Sequence, residues 1–264
     1  MEIISVINQK GGVGKTTTVI NLAAGLSQLN KKILVIDLDP QGNATTGLGL
    51  SNIDNSSDTI YGVLNGSKEI FQVIKKTQFD NLDIITSNVD LSGLEVETAD
   101  DSNRAFILKA KLAAYLNNSK GFYDYVLIDC PPSLSLLTVM ALVCSSSLLV
   151  PLQTEFFALE GLTQLIKTIE RIKTSLNKEL EIRGILLTMY DKRNKLSSQV
   201  EKEARDYFSK KVYSTVIPRN VRLSEAPSHG MPVLIYDKSC PGSKSYFNFT
   251  DEFLNQESTI GSAA

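Results

Sequence analysis

The strongest constraint on this chain lies near its start. An apolar run over residues 3–7 leads into Lys10-Gly11-Gly12-Val13-Gly14-Lys15-Thr16-Thr17, after which Val19, Leu22, Ala23 and Leu26 recur at helical spacing. A strand that passes through glycines into a helix aims the N–H groups of the loop and of the first helical turn at one spot, a nest for phosphate oxygens. Lys15 stands where an ammonium reaches the β- and γ-phosphates of a nucleotide, and the Thr16 hydroxyl where it ligates magnesium. A glycine turn that binds nothing gives Lys15 no reason to open the helix. A cation at the positive end of a helix dipole is unfavourable without an anion to meet it.

Short apolar runs alternate with helical periods along the rest of the chain, which predicts an α/β protein: a three-layer, doubly wound, mostly parallel sheet. Further strands are expected at 33–36, 82–85, 125–128, 148–152, 185–189 and 212–216, mostly Val, Ile and Leu without alternation. Helices are expected around Leu108, Leu112, Tyr115 and Leu116, and again from Leu162 to Leu176. Residues 42–80, rich in Asn, Ser and Gly, read as mobile loops and short helices. At 264 residues the expectation is a single domain over 1–254 with a frayed tail over 255–264. An apolar fraction of 42% against 21% charged excludes fibrous and disordered classes. No apolar run reaches the ~18 residues that span a bilayer, and no signal peptide opens the chain, so a cytoplasmic protein with no membrane partner is expected. Cys130, Cys144 and Cys240 are widely spaced, without a C-x-x-C pair, and read as reduced packing residues. His229 is the only histidine and lies in a turn, so triad hydrolysis has no support.

Asp37 and Asp39 follow one expected strand and Asp129 ends another, so all three emerge at the carboxyl edge of the sheet, where ligands sit in such folds. The first two, before Pro40, equally suit a turn, and Asp129 before Pro131 suits an N-cap. Lys10 brings the loop to K-G-G-x-G-K-[ST], the deviant Walker A form. With it the chain resembles the ParA/Soj partitioning ATPases, P-loop NTPases of the ParA/MinD class, along nearly its whole length. The resemblance extends to Asp37-Leu38-Asp39-Pro40-Gln41-Gly42-Asn43-Ala44-Thr45, to Asp129-Cys130-Pro131-Pro132-Ser133, to Glu155-Phe156-Phe157-Ala158-Leu159-Glu160-Gly161-Leu162, and to Pro218-Arg219-Asn220 with the residues up to Gly230.

That resemblance implies an ATP hydrolase with ATP and Mg2+ as cofactors. Asp39 orients the attacking water, while Asp37 either supports the magnesium site or caps its turn. Asp129 resembles the Walker B aspartate, meeting magnesium through water, and Pro131, Pro132 and Ser133 the second switch. Pro218 and Asn220 contact adenine. Lys10 reaches across an ATP-dependent homodimer to the partner's phosphates, as an arginine finger does.

The net charge of −2 argues against a strongly basic nucleic-acid binder, yet residues 183–222 hold ten basic and four acidic side chains. Solvated basic residues are common, and the resemblance is what tips the reading toward DNA. It assigns nonspecific double-stranded DNA contacts to Arg193 and Arg222, with Lys195 and Lys202 nearby, a nucleoid-associated location, and a ParB-like centromere-binding protein as the stimulating partner. No helix-turn-helix precedes Glu2, so sequence-specific repression is not expected. The alternative is a MinD-like spatial regulator or another cargo-positioning ATPase of the class. A MinD-like membrane anchor needs a basic amphipathic C-terminal helix, which 258–264 do not supply, and a cluster carrier needs paired cysteines.

Overall fold

The computed structural model describes residues 1–50, 56–119 and 122–261. Its centre is an eight-stranded sheet: β1 (Glu2–Val6), β2 (Ile33–Asp37), β3 (Ile74–Lys76), β4 (Leu82–Ile85), β5 (Tyr125–Asp129), β6 (Ser147–Gln153), β7 (Glu181–Tyr190) and β8 (Val212–Pro218). Their order across the sheet is β3-β4-β2-β5-β1-β6-β7-β8, parallel throughout except for β3, which runs antiparallel to β4. The seven strands expected from sequence are all present. The eighth, β3, gave no signal because it has three residues, two of them lysines. Such an edge is short and charged, which discourages pairing with another chain, and Lys76 Nζ bonds Asp83 on β4 at 2.7 Å.

The helices are α1 (Lys15–Gln28), α2 (Asn43–Gly47), α3 (Ile60–Leu64), α4 (Ile70–Val73), α5 (Leu94–Glu97), α6 (Ile107–Ser119), α7 (Leu136–Cys144), α8 (Ala158–Ser175), α9 (Lys195–Phe208), α10 (Val221–Glu225), α11 (Val233–Tyr236) and α12 (Pro241–Gly261). α1 and α12 cover one face, where Val19, Leu22 and Leu26 meet Tyr246, Phe249 and Phe253 over β1, β2 and β8. α6 to α9 follow one another across the other face, above two further apolar clusters. With β1 and its neighbours buried on both sides, the unbroken Val/Ile/Leu runs are accounted for. The short helices expected in 42–80 are α2, α3 and α4; residues 51–55 lie outside the described residues.

α12 departs from expectation. Residues 255–261, read as the start of a tail, continue this helix, and 262–264 lie outside the described residues. Its Tyr246, Phe249 and Phe253 repeat at helical spacing and seal the end of the core at β8. All three cysteines are buried and free, and burial pushes the Cys144 thiol up to about 12. No helix among the described residues is long and apolar enough to cross a membrane.

Candidate active site

β1 lies between β5 and β6, so the chain crosses from one half of the sheet to the other beside it, and the loop leaving β1 opens into the crevice such a switch creates. The turn in that loop needs glycine. Gly12 has φ +75° and Gly14, the residue before α1, has φ +91°, a region where side chains are strained. Asn8 fixes the entry, donating to the Pro151 carbonyl at 2.7 Å and accepting the Lys10 N–H at 3.0 Å. Thr188 on β7 fixes the middle by donating to the Val13 carbonyl at 2.8 Å. Asn21 steadies the first turns of α1, with Nδ2 on the Thr17 carbonyl at 2.8 Å and Oδ1 accepting the Val233 N–H, while the Thr18 hydroxyl meets Tyr246 at 3.1 Å. No side chain caps the N-terminus of α1 and no acidic residue stands in its first turn, which leaves its N–H groups to an anion.

These elements wall a cleft of about 830 Å³. Gly11, Gly12, Gly14, Lys15, Thr16 and Thr17 form its floor; Asp39 and Pro132 stand at one side, Pro218 and Asn220 at the other. Lys15 is buried, and its Nζ donates to the Lys10 carbonyl at 3.1 Å, holding the ammonium over the glycines. Burial lowers its pKa, opposed by the charges of Asp129, Cys130 and Asp39.

The three aspartates differ in their bonding. Asp37 accepts the Asp39 N–H at 3.2 Å, the Thr45 N–H at 2.8 Å and the Thr45 hydroxyl at 2.7 Å. Of the two roles open to it, the structure gives it the second: it caps the turn and ties α2 to the end of β2. Its carboxyl is pushed up to about 6 by burial, which the Thr45 bonds oppose. Asp39 lines the cleft with one oxygen on the Gln41 N–H at 3.0 Å. Asp129, across from Asp37 in the β2–β5 register, is fully buried; apart from the Thr16 hydroxyl beside it, nothing is placed to satisfy its carboxylate oxygens. Burial first, then the Asp37 charge, pushes it well above the ordinary carboxylate range, with Thr16 and Lys15 opposing.

An orphaned buried carboxylate beside a hydroxyl, under a phosphate loop, fits a hard divalent cation. Magnesium is commonly bound by one or two protein oxygens plus substrate phosphates. The Thr16 hydroxyl and the Asp129 carboxylate fit that requirement. Among the described residues no three His, Cys, Asp or Glu side chains cluster into an all-protein metal cage.

Residues 1–182 match a family described as an AAA domain. The chain is 51% identical to the chromosome partitioning protein ParA of Caulobacter vibrioides, over 97% of this chain and 95% of that one. It is 48% identical to the sporulation initiation inhibitor protein Soj of Bacillus subtilis, over 95% and 97%. This chain belongs to the ParA/Soj family of chromosome-partitioning ATPases. The P-loop NTPase fold is shared with a solved structure, cobyrinic acid a,c-diamide synthase from Mycobacterium smegmatis with bound ADP and magnesium, at a TM-score of 0.83 and 32% identity, covering 98% of this chain and 96% of that one.

Two further groups singled out as ParA/Soj-like take their places outside the cleft. Lys10 does not line it; its ammonium is half exposed and pairs with Glu155 beyond β6. Arg193 and Lys195 follow β7, and Arg222 follows β8, so parallel pairing brings these three to one edge of the sheet. Lys202 is exposed on the same helix as Lys195 but seven residues on, roughly 10 Å along α9 at the standard rise. Two other cations of this basic stretch are structural. Arg183 is buried between Glu2 and the Phe253 ring, and Arg205 bonds Glu201 and the carbonyls of Tyr213 and Ser214. Asn220, besides lining the cleft, accepts the Arg222 N–H at 3.1 Å and so caps α10. Sequence reasoning missed Asn8, Asn21, Thr45 and Thr188. Each holds the site through one hydrogen bond or a few, which no local pattern announces.

Proposed function

We propose that this family member is an ATP-driven DNA segregation switch. It hydrolyses ATP to ADP and phosphate with magnesium, closes on ATP into a homodimer, loads onto duplex DNA without reading bases, and leaves when a ParB-like centromere-binding protein speeds hydrolysis. The observation that carries the nucleotide chemistry is the buried Asp129 carboxylate, satisfied by nothing but the Thr16 hydroxyl, beneath the Lys15–Thr16 end of the loop.

The N–H groups of Gly11 to Thr17 bind the phosphates, and Lys15 holds the β- and γ-oxygens. Thr16 and Asp129 hold the magnesium, Asp129 through water; bound there, the ion neutralises charge between the two phosphates. Asp39 orients the attacking water from the cleft wall. Pro218 and Asn220 take the adenine. Lys10, half exposed outside its own cleft, serves the nucleotide of the second subunit. Arg193, Lys195, Lys202 and Arg222 meet DNA phosphates, so affinity falls steeply with salt and not with sequence. The resulting location is the nucleoid.

The test is binding to sequence-unrelated duplex DNA with ATP, ADP or no nucleotide, for wild type, Asp39→Ala and Arg193→Ala/Arg222→Ala. Binding only with ATP, strengthened by Asp39→Ala and lost with both arginines, is expected. Absence of DNA binding by Asp39→Ala with ATP overturns the DNA step and leaves the ATPase standing.

A further inference from the structure

The two arginines on which DNA loading depends are already engaged. Arg193, with 91% of its side chain exposed, presents Nε and Nη2 to the two oxygens of Asp191 at 3.1 and 3.2 Å, a two-pronged pair. Arg222 donates to Glu225 at 2.8 Å and stands 3.4 Å from Asp237. Lys192, Lys195 and Lys202, on the same loop and helix, form no ion pair among the described residues. Carboxylates are thus placed on Arg193 and Arg222 and not on Lys192, Lys195 or Lys202.

A carboxylate and a phosphate use the same N–H directions of a guanidinium fork. Asp191 lies two residues from Arg193, so it competes at the millimolar effective concentration of a short tether. We propose that Asp191 is a built-in competitor for phosphate, closing the fork of Arg193 so that a duplex backbone displaces it and an isolated phosphate does not. The duplex has the advantage because it offers a charge per ~1.7 Å of axis and releases condensed counterions, which a single phosphate does not. This inference rests on the DNA-loading reading above and names a restraint on it. Hydrogen bonds from Arg193 hold the Asp191 carboxyl below the ordinary carboxylate range, which keeps the competitor charged. At Arg222 two carboxylates share the fork, Glu225 at Nη1 and Asp237 at Nε.

Exposed pairs are weak, so removing the Asp191 charge tightens DNA binding about two- to five-fold through Arg193. Asp191→Asn suits the test because its remaining oxygen still accepts the Arg193 N–H, which Asp191 holds at 3.0 Å. The full chain is titrated against sequence-unrelated duplex DNA with magnesium and a non-hydrolysable ATP analogue, using wild type, Asp191→Asn, Arg193→Ala and the double variant, with folding followed by circular dichroism. Asp191→Asn binds tighter, Arg193→Ala weaker, and in the double variant the first substitution adds nothing; inorganic phosphate competes at lower concentration against Asp191→Asn than against wild type. An equal gain with or without Arg193 reduces Asp191 to a general field effect and overturns the proposal, as does no gain at all while Arg193→Ala still weakens binding. Wild-type DNA binding by Arg193→Ala overturns this proposal alone, since the DNA-loading reading stands or falls with binding by Asp39→Ala in ATP. Should Asp191→Asn fail to fold, Glu225→Gln combined with Asp237→Asn takes both carboxylate charges off Arg222 and puts the same question there: tighter binding supports an arginine-masking competitor, and unchanged binding overturns it.

Discussion

Replacing Thr45 by valine removes one hydroxyl and disturbs two partners. That hydroxyl donates to Asp37 at 2.7 Å and accepts the Ser87 N–H at 3.0 Å, and Thr45 is buried. A hydrogen bond to a charged group is worth about 1.5–3 kcal/mol and an orphaned buried N–H costs about 1–3, which together give a loss of about 3–5 kcal/mol at pH 8. The loss depends on pH. Asp37 titrates at about 6 in the folded chain, above its unfolded value, so the stability it contributes is present in acid and falls as pH rises through about 6. Without the Thr45 hydroxyl, which favours the charged form, the folded pKa rises further and the fall is deeper. At pH 5 Asp37 is mostly protonated in both proteins and the first contribution shrinks toward the 0.5–1.5 kcal/mol of a neutral bond. Urea denaturation of wild type and Thr45→Val at both pH values measures the difference, with a penalty larger at pH 8 by about 1–2 kcal/mol expected. An equal penalty at the two pH values, or one below ~1 kcal/mol at both, would refute the role given to Asp37 and Thr45.

Asp129→Asn removes an uncompensated buried charge, so the nucleotide-free protein melts several degrees higher, more so at pH 8 than at pH 5 because a raised carboxyl loses its stabilising effect as pH climbs. The same variant loses most of the thermal shift that magnesium and ATP give the wild type; scanning calorimetry reads both. Gly14→Ala forces a side chain to φ +91°, which costs about 1–2 kcal/mol and turns the loop N–H groups off the phosphates, so a fluorescent ATP analogue no longer binds. Lys10→Ala keeps monomer affinity for ATP within about three-fold, since Lys10 does not line its own cleft, but cuts turnover by at least ~100-fold; unchanged turnover would remove the finger role.

The sequence carried the parts of this molecule that repeat or that defy local rules. Seven strands were legible because both faces of the sheet are covered, leaving apolar runs that alternate with helical periods. The loop was legible because Gly12, Gly14 and Lys15 make sense together only around an anion. What stayed hidden depends on tertiary pairing. β3 exists only because β4 lies beside it, and α12 runs on past residue 254 although its last residues are small and polar. Counting charge gave ten cations in the basic stretch without saying which face water, and Arg183 and Arg205 are spent on Glu2, Phe253 and strand carbonyls. Charge counting cannot separate a cation facing water from one bonded inside.

The same distinction sorts the three aspartates at the carboxyl edge. Residue type made them equivalent, but burial first and neighbouring negative charge after it raise the pKa of Asp37 and of Asp129, so the three cannot all be solvated anions doing one task. Bonding breaks the tie. Asp37 accepts three hydrogen bonds, two from α2 and one from the Asp39 N–H, and is the most fully engaged of the three. Asp129 has only the Thr16 hydroxyl to satisfy it and lies beneath Lys15 and Thr16, an arrangement costly alone and compensated by a cation. Asp39, on the cleft wall, has one oxygen on the Gln41 N–H, which leaves the other for the water-orienting role proposed for it. The order of the three roles therefore follows from how many hydrogen bonds the fold has already given each carboxylate, and a substitution that changes that number, such as Thr45→Val, changes the role before it changes the charge.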